Sequence, residues 1–168
     1  NAQCPIMTEQ DYNNCVDEHS NGVYRFILKN LRSTQDAEDI VQSAFEKLWV
    51  NRERVTPLKA KSYLFTVAYH QMIDVIRKEN KKPTTNEFID VDQVTHQTSS
   101  ELKQNLLSAI NQLNPTQKSL VLLKDYEGYS YQEIGEIMNL SESQVKVYLH
   151  RARLFLKTKL LELEKVNA

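Results

Sequence analysis

The sequence predicts an all-α protein: two small helical domains joined by a flexible linker, the C-terminal one containing a helix-turn-helix. Three observations carry this reading. Apolar residues recur at the helical period of 3.6 in several stretches, and no β-type alternation of useful length occurs. The periodicity lapses between residues 83 and 100, which divides the chain into residues 1–82, 83–100 and 101–168. Two capping boxes stand eleven residues apart in the last third of the chain. With 3 glycines and 4 prolines in 168 residues, and 40% apolar side chains, collagen-like, disordered and turn-rich β classes are excluded.

The first helix is expected over residues 8–31, offering Tyr12, Val16, Val23, Phe26 and Ile27 to a core. The strongest signal follows over 33–54, where Ala37, Ile40, Val41, Ala44, Phe45, Leu48 and Trp49 make one apolar stripe. Ser33 with Asp36 forms a capping-box-like start. Asp36, Glu38 and Asp39 lie at the positive end of the helix dipole, with Lys47, Arg52 and Arg54 towards its negative end. Opposite the apolar stripe runs a polar one, Asp39, Gln42, Ser43 and Glu46. A third helix starts at Thr56-Pro57, proline being suited to a first turn, and reaches about residue 80. Leu64, Val67, Ala68, Val75 and Ile76 are expected inward, so the three helices close one small core.

That third helix and its flank carry Lys59, Tyr63, Thr66, His70, Arg77 and Lys81 along one face, with Tyr69, Lys78 and Lys82 nearby. Rings that stack bases, interleaved with cations that hold phosphates, suit a single-stranded nucleic acid. Tyrosines at helical spacing equally suit a core, so this pattern alone decides nothing.

Residues 83–100 (PTTNEFIDVDQVTHQTSS) hold Glu87, Asp90 and Asp92 and no Lys or Arg, the composition of an acidic tether. Phe88 and Ile89 are its large apolar side chains besides two valines. Periodicity returns with Leu102, Leu106, Ile110 and Leu113. Asn114-Pro115 starts the next helix as cap and first-turn proline. That helix carries Leu120, Val121 and Leu123, and Gly128 ends it in a left-handed cap.

Ser130-Tyr-Gln-Glu133 and Ser141-Glu-Ser-Gln144 are the two capping boxes, and between them lie Ile134, Gly135, Ile137, Met138, Asn139 and Leu140. This is a helix-turn-helix pattern. Ile134 and Met138 face inward, Gly135 allows a close crossing, Asn139 takes the left-handed turn, and Leu140, Val145 and Tyr148 cover the corner. The second helix of such a motif enters the major groove of duplex DNA. Residues 143–159 hold Lys146, Arg151, Arg153, Lys157 and Lys159 and no acid. Ser143, Gln144, Val147 and His150 form an outward row; glutamine suits adenine and valine the thymine methyl.

The formal net charge of −1 gives no global polycation, and residues 1–82, 83–100 and 101–168 carry +1, −3 and +1. Cations are therefore local, gathered on the recognition helix and around Arg77. No apolar run approaches the roughly 18 residues of a membrane span, and no signal segment stands at the start. A cytoplasmic location without membrane insertion is expected. Cys4 and Cys15 do not make a disulfide scaffold; Cys15 and His19 lack the further ligands of a zinc site, so ordinary reduced thiols, no metal and no cofactor are expected. Nor is there a nucleophile elbow, a phosphate-cradling loop or a metal-binding helix, so the chain is not expected to be an enzyme.

Asp36-Ala-Glu-Asp-Ile-Val-Gln42 with Phe45 and Leu48-Trp49 closely resembles the core-polymerase-binding helix of bacterial sigma factors of the extracytoplasmic-function (ECF) group. Tyr63-Leu-Phe-Thr-Val-Ala-Tyr-His70 followed by Ile73-Asp-Val-Ile-Arg77 resembles that family's promoter-melting helix. Leu113-Asn-Pro-Thr-Gln-Lys118, Tyr131-Gln-Glu-Ile134 and Val145-Lys146 through Arg151-Ala-Arg153 resemble its C-terminal domain. The resemblance spans residues 8–162 and implies a promoter-specificity subunit of RNA polymerase. It implies core-polymerase contacts by Asp36, Asp39, Gln42 and Glu46. It also implies capture of unpaired minus-ten bases by Tyr63, Thr66, Tyr69, His70, Arg77 and Lys78. Reading of a duplex minus-thirty-five element falls to Ser143, Gln144, Lys146, Val147, His150, Arg151 and Arg153. The linker would thread towards the RNA exit path, and an anti-sigma factor is the implied silencing partner. His70, Gln144 and Val147-Tyr148 depart from commoner family residues on the reading surfaces. The rival is a helix-turn-helix regulator that binds duplex DNA without polymerase; it leaves the Asp36–Gln42 and Tyr63–Arg77 surfaces without a task.

Overall fold

The structure, a computed structural model, describes residues 6–81 and 101–166. The acidic linker, Cys4 and Lys82 lie outside the described residues. By proximity the chain forms two compact units, residues 6–81 with Gly135–Leu140, and residues 101–134 with 141–166. No strand occurs among the described residues.

Three helices build the first unit: α1 (Glu9–Leu31), α2 (Thr34–Val50) and α3 (Ala60–Asn80), the last preceded by a 3-10 turn over Pro57–Lys59. Thr8 starts α1 through a closed capping box: its hydroxyl accepts the Asp11 N–H at 3.1 Å, and the Asp11 carboxylate accepts the Thr8 N–H at 2.9 Å. The Thr8 N–H and the Thr8 hydroxyl (2.8 Å), both donated to that carboxylate, hold it below its ordinary pKa. Arg32 ends α1 in the left-handed region (φ 57°), returning its N–H to the Leu28 carbonyl at 2.8 Å. Ser33 then caps α2 by accepting the Asp36 N–H at 3.2 Å.

The core of this unit joins Val23, Phe26 and Ile27 of α1, Ala37, Ile40, Ala44 and Leu48 of α2, and Leu64, Phe65, Ala68 and Met72 of α3. Phe26 and Phe65 meet with ring centres 5.7 Å apart. Two expectations change here. On α3 the buried face is Leu64, Phe65, Ala68, Tyr69 and Met72, while Val67, Val75 and Ile76 are half-buried. The helix is rotated so that its bulkier side chains face the core. On α2 the apolar stripe ends at Leu48; Trp49 is 37% exposed, its ring against Tyr12 (4.9 Å).

The C-terminal part of the chain holds α4 (Glu101–Asn111), α5 (Pro115–Val121), α6 (Tyr131–Met138) and α7 (Glu142–Val166). α4 and α5 both pack on α7, whose Val145, Leu149, Ala152 and Leu156 are buried. Asn114 caps α5, accepting the Gln117 N–H at 2.8 Å, with Pro115 in its first turn as the sequence predicts. Where one α-helix up to Gly128 is expected, α5 instead widens into a π-helical turn over Leu122–Tyr126. The Glu127 N–H reaches the Leu122 carbonyl at 3.0 Å, and Gly128, at φ 75°, closes the segment. The first turn of α4 also departs from expectation: Leu102 is exposed and Leu106 half-buried, whereas Ile110 and Leu113 are in the core. Lys118 buries its stem and sets its ammonium on Asn111 Oδ1 at 3.0 Å. Among the described residues no helix is long and apolar enough to cross a membrane.

Candidate polymerase and promoter interfaces

On α2 the polar stripe stands clear of the core. Asp39, Gln42 and Glu46 are exposed one turn apart, and Asp36 is half-buried at the N-terminal end. Gln42 donates to Glu46 at 3.2 Å, which orients both heads along the helix. Ser43 sits at the edge of the stripe and accepts from Gln71 of α3 at 3.0 Å, tying the presenting helix to its neighbour. At the far end of α2, Arg52 lies over the outer face of Trp49, 4.1 Å from its ring. This Tyr12–Trp49–Arg52 stack is a surface feature that the sequence pattern assigned to the core, because a tryptophan in register with a stripe looks inward.

The α3 residues do not form one continuous nucleic-acid face. His70, Arg77 and Lys78 are exposed. Tyr63 is half-buried, and its hydroxyl accepts from Asn51 Nδ2 at 3.1 Å and donates to the Lys47 carbonyl at 3.4 Å. That hydroxyl therefore closes the C-terminal turn of α2. Thr66 is half-buried with its hydroxyl donated back to the Ser62 carbonyl at 2.7 Å. Tyr69 is the correction: only 9% exposed, it belongs to the core, and burial raises its phenol pKa. The rotated register of α3 is the reason. Its ring stands edge-on to that of His70 (5.8 Å).

The helix-turn-helix is built from the two boxes the sequence shows. Ser130 and Glu133 exchange bonds of 2.8 and 3.1 Å at the start of α6. Ser141 and Gln144 do the same at 2.9 and 3.1 Å at the start of α7. Asn139 adopts φ 55°, and the Leu140 N–H closes on the Gly135 carbonyl at 2.9 Å. Ser143, Gln144, Val147, His150 and Arg151 are all exposed along α7. Lys146 is exposed but paired with Glu142 at 3.1 Å. Arg153 is held by Asp125 at 2.6 Å, and that bond raises its pKa further. Sequence reading missed Lys124, Asp125 and Tyr131, which gather round these cations; Asp125 and Arg153 are too far apart in the chain for any local pattern to pair them. Among the described residues no group of three or more His, Cys, Asp or Glu is placed to hold a metal, and Cys15 is a buried thiol.

Both halves match known protein families. Residues 15–82 match the family described as Sigma-70 region 2, and residues 103–156 that described as Sigma-70, region 4. A three-helix unit presenting an acidic helix, followed by a helix-turn-helix unit, thus defines a sigma factor of RNA polymerase, a subunit that directs promoter-specific transcription initiation. Over 146 residues the chain is 31% identical to the ECF RNA polymerase sigma factor SigM of Bacillus subtilis, covering 83% of this chain and 88% of SigM. It is 30% identical over 166 residues to SigW of the same organism, with 88% of each chain covered. The chain belongs to the ECF group of RNA polymerase sigma factors. In fold it is similar to the sigma factor RpoE of Bartonella quintana, solved in complex with the anti-sigma factor NepR (TM-score 0.75, 20% identity, 90% of this chain and 97% of that chain).

Proposed function

We propose that the two units divide the work of initiation as their surfaces are divided. The α2 stripe of Asp36, Asp39, Gln42 and Glu46 docks on core RNA polymerase. Tyr63, His70, Arg77 and Lys78 on α3, with Thr66 at its edge, hold the unpaired strand of the minus-ten element. The row Ser143, Gln144, Val147, His150 and Arg151 reads the minus-thirty-five duplex. Domain limits of 1–82 and 101–168, with the acidic linker between, follow the same division. The chain acts in the cytoplasm and performs no chemistry itself, and an anti-sigma factor covers one or both surfaces when it is silent. The complex of the similar Bartonella quintana protein with NepR supports that last point.

One observation carries the reading: an exposed acidic stripe on α2 and exposed cations on α3 share one rigid three-helix unit. A duplex-binding regulator has no use for either. The test is charge reversal. Asp39→Arg with Glu46→Arg abolishes capture by core polymerase and leaves binding to duplex DNA intact. Retained capture by that variant overturns the assignment.

A further inference from the structure

Arg153 is expected among the cations that meet DNA, yet its guanidinium is turned elsewhere. An α-helix advances about 100° per residue, so Ser143, Gln144, Val147, His150, Arg151 and Leu154 fall within about 60° of one line on α7. Arg153 falls about 120° from that line. There it grips Asp125 with two nitrogens, Nη2 at 2.6 Å and Nε at 3.3 Å, the fork geometry in which arginine matches a carboxylate. Tyr131 stands close enough to favour its charged form.

Both partners sit at irregular places in the backbone. Asp125 lies in the π turn, and Tyr131 opens α6 just after the left-handed Gly128. Lys124, beside Asp125, donates to the Tyr129 carbonyl at 3.2 Å and lies 4.6 Å from the Tyr131 ring centre. Lys146 approaches the same ring at 5.4 Å. The guanidinium thus joins the π turn to the middle of α7, and two ammonium groups rest on the ring of Tyr131 in the first turn of α6.

We propose that Arg153 is a positioning residue of the DNA-reading unit. Through Asp125 it fixes the π turn, with Lys124 and the Tyr131 ring that Lys124 covers, against the recognition helix, and it does not itself bind phosphate. The proposal rests on the reading of α7 as the duplex-binding helix.

The two roles predict opposite signs for Asp125→Asn. Were Arg153 a phosphate contact, removing the acid that competes for it would tighten binding. As a positioning residue it loses its anchor, and affinity falls by about fivefold. The assay is fluorescence anisotropy of the full chain on a labelled random-sequence duplex over a series of KCl concentrations, below the melting temperature of each variant. Arg151→Gln, on the reading line, should lower the slope of log affinity against log salt by about 0.9. Arg153→Gln should lower affinity and leave that slope unchanged, and Arg153→Lys, which keeps the charge but not the fork, should match it. Asp125→Glu should recover most of the loss. Tighter binding by Asp125→Asn, full affinity in Arg153→Lys, or a slope reduced by Arg153→Gln overturns the proposal. An unchanged slope in Arg151→Gln would sink the duplex reading itself, and the proposal with it.

Discussion

Replacing Gln144 by glutamate separates two tasks that fall on one side chain. Its Oε1 accepts the Ser141 N–H at 2.9 Å and its backbone N–H donates to Ser141 Oγ at 3.1 Å, closing the box that starts α7. The carboxamide nitrogen takes no part in that box and is the group that would meet an adenine edge. Glutamate keeps the acceptor and places a negative charge in the first turn of a 25-residue helix, worth about 0.3–1 kcal/mol. The melting temperature should hold or rise by a few degrees. On the DNA side the substitution removes both donors and adds a charge that repels phosphate. A single hydrogen bond of this kind is worth about 0.5–1.5 kcal/mol, so affinity for the preferred duplex should fall about 2- to 13-fold, and further through the added charge. Circular dichroism melts measure the first effect, and anisotropy on a duplex selected by the wild-type protein the second. Ser141→Ala supplies the converse, losing about 1 kcal/mol of helix cap while leaving the outward row in place. A Gln144→Glu variant that melts markedly earlier, or binds the selected duplex like wild type, refutes the reasoning.

Other substitutions probe the scaffold. Phe65 is 1% exposed against Phe26, so Phe65→Ala should cost about 3–5 kcal/mol, a large part of a domain's stability. Denaturant titration should show a much smaller loss for Trp49→Ala, since that ring stands at the surface. Gly128→Ala meets no atom within 4 Å of the added methyl, so only the left-handed backbone resists it. Its cost should be about 1–2 kcal/mol in the same titration. His19 is half-buried, and that burial lowers its pKa below 6.5. The unfolded chain therefore takes the proton first, and stability should fall as pH drops below about 6.5 towards the lower folded-state value. Melts at stepped pH should show that slope flatten in His19→Gln.

What the sequence made legible is what short-range chemistry decides. The Ser33, Asn114, Ser130 and Ser141 caps, the left-handed Asn139 and Gly128, and the Asp39–Gln42–Glu46 stripe all depend on residues within a turn or two of one another. The structure places each as its pattern predicts. Long-range packing hid the rest. On α3 two apolar faces compete, and the one carrying Phe65, Tyr69 and Met72 is the one buried. This places the Tyr69 ring in the core, edge-on to His70. Trp49 continues the apolar stripe of α2 in register, yet the core ends at Leu48 and its ring finishes between Tyr12 and Arg52. The π turn begins within a run of six consecutive buried residues, Lys118 to Leu123, which a 3.6-residue period cannot bury on one face. The widened turn and the Asp125–Arg153 pair arise together there, out of reach of any local motif.

The proposed function gives RNA polymerase a promoter preference through two separate surfaces. Run-off transcription tests it most directly: purified core polymerase, a library of promoter-bearing fragments, and the chain added or withheld. Transcripts with defined 5′ ends should arise from a subset of fragments only when the chain is present. They should disappear with Asp39→Arg/Glu46→Arg and shift in fragment preference with Gln144→Glu. Transcription that starts equally with and without the chain, while the chain alone binds duplex tightly and specifically, would contradict the account and favour a regulator that works without polymerase.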